Sequence, residues 1–94
     1  MKNMFNFIVD FFAEMGWRAL GKITNPMTGK IEKNLELAKQ IIEILETLKE
    51  KTKGNLTDEE NRFLITTITD LQLNYVEEVE KESKQKNGTD KGET

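Results

Sequence analysis

The chain has 94 residues, of which 36% are hydrophobic and 33% are charged, and its formal net charge is −3. This length suits one domain, and a domain of this size buries only about 60% of the surface that its unfolded chain exposes. Because the sequence contains no cysteine and no histidine, it excludes disulfides, Cys/His zinc sites and catalytic triads with a histidine base.

The first predicted element is an apolar helix over residues 3–20. Its apolar residues recur every three or four positions, and Gly21 follows as a stop signal. Twelve of the residues 4–20 are apolar, which is more surface than the only two other helices of the chain are expected to cover. We therefore predict self-association, in its simplest form as a two-fold dimer, through an interface of Phe5, Ile8, Phe11, Phe12, Met15, Trp17 and, from a later helix, Leu73.

Residues 21–33 are predicted to form a connecting loop. Asn25, Pro26 and Gly29 occupy the positions that these residue types favour in a turn. The second helix is predicted over residues 34–53, with Asn34 as its N-cap. Its apolar residues form two adjacent rows, which indicates a helix packed against two neighbours. Gly54 marks its end.

The third helix is predicted over residues 58–82, antiparallel to the second. Thr57 and Glu60 have the spacing of a capping box. The β-branched run 65–69 also suits a strand, but it lies within a helical repeat of more than twenty residues. The composition of residues 83–94 predicts a disordered polar tail, so residues 1–82 form the predicted domain. The predicted fold class is all-α: three helices in a bundle that self-associates.

The segment between the second and third helices has two interpretations. Lysines followed by a glycine and by the free amides of a helix N-terminus are typical of an anion site, here for phosphate or a nucleotide. Helix capping alone also explains every residue of the segment. The residues concerned are Lys49, Lys51, Lys53, Asn55 and Thr57.

The acidic residues predict neither a metal site nor a cofactor site. Glu77, Glu78, Glu80 and Glu82 lack the alternating oxygen ligands and glycine turn of a calcium loop, so we predict a solvated helix face. Residues 58–82 are strongly acidic, and the chain has only two arginines. This charge distribution argues against sequence-specific nucleic-acid binding.

Two segments carry a resemblance to a known family. The turn Asn25-Pro26-x-Thr28-Gly29 and the run KTKGNLT over residues 51–57 resemble a family of small bacterial helical proteins described as a domain of unknown function. The likeness extends over residues 5–79. The phenylalanine-rich first helix and the acidic stretch 77–82 depart from that family. The resemblance implies a bacterial, cytoplasmic, all-helical protein, and it supplies no catalytic residues.

These observations predict a non-enzymatic interaction or scaffold module whose partner is a second copy of itself or another protein. Asp10, Glu14 and Arg18 interrupt the apolar N-terminal stretch, so we expect neither a secretory signal nor a bilayer crossing and place the protein in the cytoplasm. Two alternatives stay open. The first is a membrane surface or membrane-protein partner for the first helix, and the second is the phosphate site at residues 49–57.

Overall fold

The computed structural model describes the backbone of residues 3–91 and the side chains of residues 3–84. Three helices follow one another: α1 (Met4–Ala19), α2 (Leu35–Lys51) and α3 (Asp58–Lys91). Each helix packs against the other two. The predicted all-α, three-helix fold is therefore confirmed. The prediction of self-association stays a prediction.

The helices run up, down and up. Residue Asn34, just before α2, donates its backbone N–H to the carbonyl of Ala19 at the end of α1 (2.7 Å). At the other end, the side-chain amide of Asn3 donates to Glu60 in the first turn of α3 (3.0 Å). The start of α1 therefore lies beside the start of α3, and α2 is antiparallel to both.

The predicted helix starts agree with the structure because capping side chains mark them. The side-chain oxygen Oδ1 of Asn34 accepts a hydrogen bond from the backbone N–H of Leu37 (3.1 Å), as the side chain of an N-cap residue does. Thr57 Oγ1 accepts from the backbone N–H of Glu60 (3.1 Å), and the Thr57 N–H donates to Oε1 of Glu60 (2.9 Å). This reciprocal pair is the predicted capping box.

The third helix is longer than expected, since α3 is described to Lys91 whereas its predicted end was residue 82. Residues 92–94 of the predicted tail lie outside the described residues. The predicted loop is present: the N–H of Gly29 donates to the carbonyl of Asn25 (2.7 Å), and Gly29 has a φ of +70°, which suits glycine.

The core lies between the three helices. Its fully buried large side chains come from all of them and from the end of α1: Val9, Leu20, Ile41, Leu45, Leu64 and Leu71. The buried residues within α1 are small or medium in size: Val9, Ala13, Gly16 and Ala19. A Cβ added at Gly16 would lie 3.1 Å from Leu71 Cδ2 and 3.2 Å from Ile41 Cγ2. The absence of a side chain at Gly16 thus allows α1 to approach both α2 and α3 closely.

Candidate protein–protein interface on the first helix

The side of α1 that faces away from the core is apolar. Met4, Ile8 and Phe11 are 63%, 43% and 56% exposed, and their spacing places them on one face over the first two turns of the helix. We call these three residues the α1 outer face. Phe7 lies on the same side of the helix and is also exposed. The α1 outer face is therefore a contiguous apolar stripe.

The size of the buried residues explains why these larger side chains point outward. Val9, Ala13 and Gly16 lie roughly opposite the α1 outer face around the helix, and they are the residues that pack into the core. Their small size lets the helices approach closely, and there is no room for a phenylalanine where Gly16 contacts Leu71 and Ile41. The fully buried positions of α1 are therefore occupied by small or medium side chains, and Met4, Ile8 and Phe11 lie on the opposite side of the helix.

The seven residues of the predicted interface fall into two groups in the structure. Ile8, Phe11 and Leu73 are exposed, and Leu73 on α3 is 64% exposed. The other four are partly buried against the chain's own core: Phe5, Phe12, Met15 and Trp17. The prediction that these seven form an oligomer interface stays a prediction, and the exposed members are those with surface to offer a partner.

Phe11 is held in place by its neighbour in the sequence. Its ring meets that of Phe12 edge to face, with ring centroids 5.7 Å apart and an interplanar angle of 82°, a favourable aromatic geometry. Because Phe12 packs on the core, the contact orients the exposed ring of Phe11. A residue ordered in this way loses little conformational entropy when a partner covers it.

Met4 is not among the seven residues of the predicted interface. The spacing of Met4, Phe7, Ile8 and Phe11 follows the i, i+3, i+4, i+7 pattern of one helical face. The sequence contains this signal, but apolar residues also flank this face on the first helix and obscure it.

Charged residues continue the line of the α1 outer face toward the end of α1. The Arg18 guanidinium contacts the carboxylate of Glu14 at 3.2 Å. The first turn of α1 contains no acidic residue, although the first turns of α2 and α3 do. The exposed apolar part of this face therefore lies in the N-terminal half of α1, because Met15, the next residue along its line, is partly buried against the core.

The predicted anion-site segment forms an open cleft of about 420 Å³ at the turn between α2 and α3. Lys49, Lys53 and Gly54 line it, but so do the carboxylates of Glu50 and Asp58. Asn55 and Lys51 are exposed. The Thr57 amide N–H donates to Glu60, and this hydrogen bond, with a second from the Asn3 side chain, lowers the pKa of Glu60. The anion site stays a prediction.

Glu78 is the exception to the predicted solvated acidic face, because its side chain is only 7% exposed. Its carboxylate contacts Lys22 Nζ at 2.8 Å, Lys33 Nζ at 2.6 Å and Lys81 Nζ at 3.2 Å. We call these four residues the Glu78 cluster. Lys22 and Lys33 belong to the loop between α1 and α2, so the cluster attaches this loop to α3. For Glu78 the prediction of a solvated side chain was wrong.

The contacts in the Glu78 cluster shift the pKa values of Glu78 and Lys33. Hydrogen bonds from Lys22 and then Lys33 lower the pKa of Glu78 to about 2, against the opposing effect of burial. The hydrogen bond with Glu78 raises the pKa of Lys33. One carboxylate among three ammonium groups is a structural ion-pair network, and its geometry serves to hold the loop.

The described residues give no support to two other kinds of site. Among them, no cluster of three or more acidic side chains is arranged to hold a metal ion. None of the helices over the described range has both the length and the apolar character that a bilayer crossing needs.

Comparison with protein families gives a match that covers most of the chain. A family model described as "Domain of unknown function (DUF1844)" matches residues 2–77. Searches of curated proteins and of solved structures return no match. The matched range contains the whole α1 outer face and ends one residue before Glu78.

Proposed function

Because this chain belongs to the domain family of unknown function whose model covers residues 2–77, we propose a role for it on the basis of its own structure. It acts as a homo-oligomeric helical interaction module, and a second copy covers the α1 outer face. The role includes no catalysis, and its setting is the cytoplasm. The observation that carries the proposal is the exposure of Met4, Ile8 and Phe11 together on one face of α1.

The size of the α1 outer face supports this role. Three large side chains, each about half exposed, present about 300 Å² of apolar surface per chain. Exposed apolar patches of a few hundred Å² on soluble proteins usually mark an interaction site. A standard interface buries about 800 Å² per partner, with an apolar centre and a polar rim. The α1 outer face is of the right size to be such a centre.

The position of the α1 outer face favours a partner over rearrangement within the chain. The opposite side of α1 is fixed in the core by Val9, Ala13 and Gly16. Rotating α1 to bury Phe11 would expose Val9 and would bring a large ring to the level of Val9 and Ala13, where smaller side chains fill the core. A second copy covers the face without disturbing that packing.

Sedimentation velocity over micromolar to near-millimolar concentrations tests the proposal. We expect the full chain to dimerise or to form a larger oligomer, and Phe11→Lys to weaken association at least thirtyfold, which corresponds to about 2 kcal/mol for a central interface residue. Met27→Lys is the matched control, because Met27 is an apolar residue that is 90% exposed in the loop between α1 and α2. The substitution adds the same positive charge outside the α1 outer face. It should associate like the wild type.

Three results would overturn the proposal. The first is a wild-type chain that stays monomeric at the highest concentration. The second is equal weakening by both substitutions, which would indicate a general effect of added charge. The third is a monomer that co-floats with lipid vesicles through Phe11, because that result assigns the face to a membrane surface instead.

A further inference from the structure

We infer that two copies of α1 pair antiparallel across the α1 outer face, with Met4 of each chain against Phe11 of the other and the two Ile8 side chains near the two-fold axis. This inference rests on the proposed function, since it specifies how the second copy is arranged.

The shape of the α1 outer face is self-complementary in this arrangement. A two-fold interface requires each residue i that contacts residue j to be matched by j contacting i. The stripe extends from Met4 to Phe11, so its midpoint lies between residues 7 and 8. Reversing a second copy about that midpoint places Met4 level with Phe11 twice and Ile8 nearly level with its own copy. The whole apolar stripe is then covered.

The charges favour the antiparallel pair over the parallel one. In a parallel pair in register, Glu14 of one chain lies at the same height as Glu14 of the other, and the two Arg18 residues likewise share one height. Residues of like charge therefore lie at the same height along the pair. In the antiparallel pair both residues lie beyond the end of the overlapping stripe. Like charges brought together at an interface oppose association. The parallel arrangement therefore has a cost that the antiparallel one avoids.

The helix dipoles add to this preference. In an antiparallel pair the two helix dipoles point in opposite directions, which is favourable, and the N-terminus of the partner's helix carries a partial positive charge. In the inferred pair, Glu14, whose side chain is 62% exposed, lies near the start of the partner's α1. The first turn of α1 has no acidic residue of its own. In the inferred pair, Glu14 of the second copy places a negative charge near the first turn of α1. In α2 and α3, acidic residues of the helix itself provide this charge.

The approach of the second copy is unobstructed within the chain. Val9 and Ala13, on the other side of α1, are buried against α2 and α3. Met4, Ile8 and Phe11 are exposed, so neither α2 nor α3 of the same chain covers the stripe.

Disulfide cross-linking tests the arrangement, because the chain contains no cysteine and each introduced thiol is unique. Ile8→Cys should give a covalent dimer on mild oxidation. Met4→Cys and Phe11→Cys should each fail alone, since like positions lie about 10 Å apart along the axis, beyond the reach of about 7 Å between Cα atoms. Mixed together, with one carrying a longer tag, Met4→Cys and Phe11→Cys should form the mixed dimer.

Met27→Cys serves as the control for random collision. The Ile8→Cys dimer and the mixed dimer of Met4→Cys with Phe11→Cys should form about tenfold faster than the Met27→Cys dimer. Each variant is first sedimented under reducing conditions to measure its association. The antiparallel arrangement is overturned if Phe11→Cys links to itself as fast as Ile8→Cys does and no mixed Met4–Phe11 product forms. That result would leave the proposed function standing. A wild-type chain that sediments as a monomer overturns both.

Discussion

Lys33 and Glu78 meet at 2.6 Å between Nζ and Oε1, although they lie on different elements, one in the loop after α1 and the other late in α3. Lys22 approaches the same carboxylate at 2.8 Å. The two contacts fix both ends of the loop to α3.

Glu78→Gln is expected to lower the free energy of unfolding by about 2 kcal/mol. The amide keeps the shape of the side chain, but it loses the charge that attracts Lys22 and Lys33, and charged hydrogen bonds of this kind contribute about 1.5–3 kcal/mol before allowance for the exposure of the lysines. Urea denaturation followed by circular dichroism, at one fixed protein concentration, measures the change.

Glu77→Gln is the matched control for this prediction, because Glu77 is the exposed neighbour on the same helix. It should change the free energy of unfolding by less than about 0.5 kcal/mol. If both substitutions lowered the free energy of unfolding equally, the loss would come from removing one negative charge and not from breaking the ion pairs of the Glu78 cluster.

The Glu78 cluster also predicts how stability depends on pH. The folded state lowers the pKa of Glu78 from its ordinary 4.5 to about 2. A carboxyl group with a lowered pKa contributes stability above its unfolded pKa and loses that contribution as the pH falls toward its folded pKa. The contribution of Glu78 should therefore be complete above about pH 5 and should disappear between about pH 4.5 and pH 2.

The measurement compares the wild type with Glu78→Gln across that range. The difference in their free energies of unfolding should be constant at neutral pH and should shrink toward zero as the wild-type carboxylate is protonated. A difference that stays the same down to pH 2 would contradict the assignment of the lowered pKa to this residue.

The local signals in the sequence were sufficient for the helices but not for the orientation of α1. Asn34, Thr57 and Glu60 mark helix starts with side chains that act within three residues, so the sequence predicted them. The buried face of α1 depends instead on the fit of Gly16 between Leu71 and Ile41. Outside the narrow strip of Asp10, Glu14 and Arg18, apolar residues surround the first helix, so the hydropathy pattern does not indicate which of them enter the core.

The burial of Glu78 was missed for a related reason. Its partners Lys22 and Lys33 come from a loop that is distant in sequence, and its neighbours on α3 include exposed acids. An acidic run on a helix is typical of a solvated face. Only the packing of the loop onto α3 distinguishes Glu78 from Glu77 and Glu80.

Gly16→Leu is expected to destabilise the protein by about 1–3 kcal/mol, the usual cost of adding volume to a packed core. The first added carbon already lies 3.1 Å from Leu71 Cδ2, and Leu71 is fully buried. Gly16→Ala is the matched control: its tight contacts oppose a gain of about 1 kcal/mol in helix propensity. Urea denaturation should therefore place alanine near the wild type and leucine well below it. Equal stability of the leucine variant would show that α1 is not closely packed at this position.

Asn34→Ala should lower the free energy of unfolding by about 1 kcal/mol, because it removes the side-chain acceptor that caps the Leu37 N–H. The backbone hydrogen bond from Asn34 to Ala19 does not involve the side chain and should persist. Asn34→Asp is the control that keeps an acceptor and adds a negative charge at the N-terminus of α2, so its stability should match or exceed that of the wild type. Thermal and urea denaturation measure both variants. If the aspartate variant lost as much stability as the alanine variant, the side-chain amide of Asn34 would have a role other than capping.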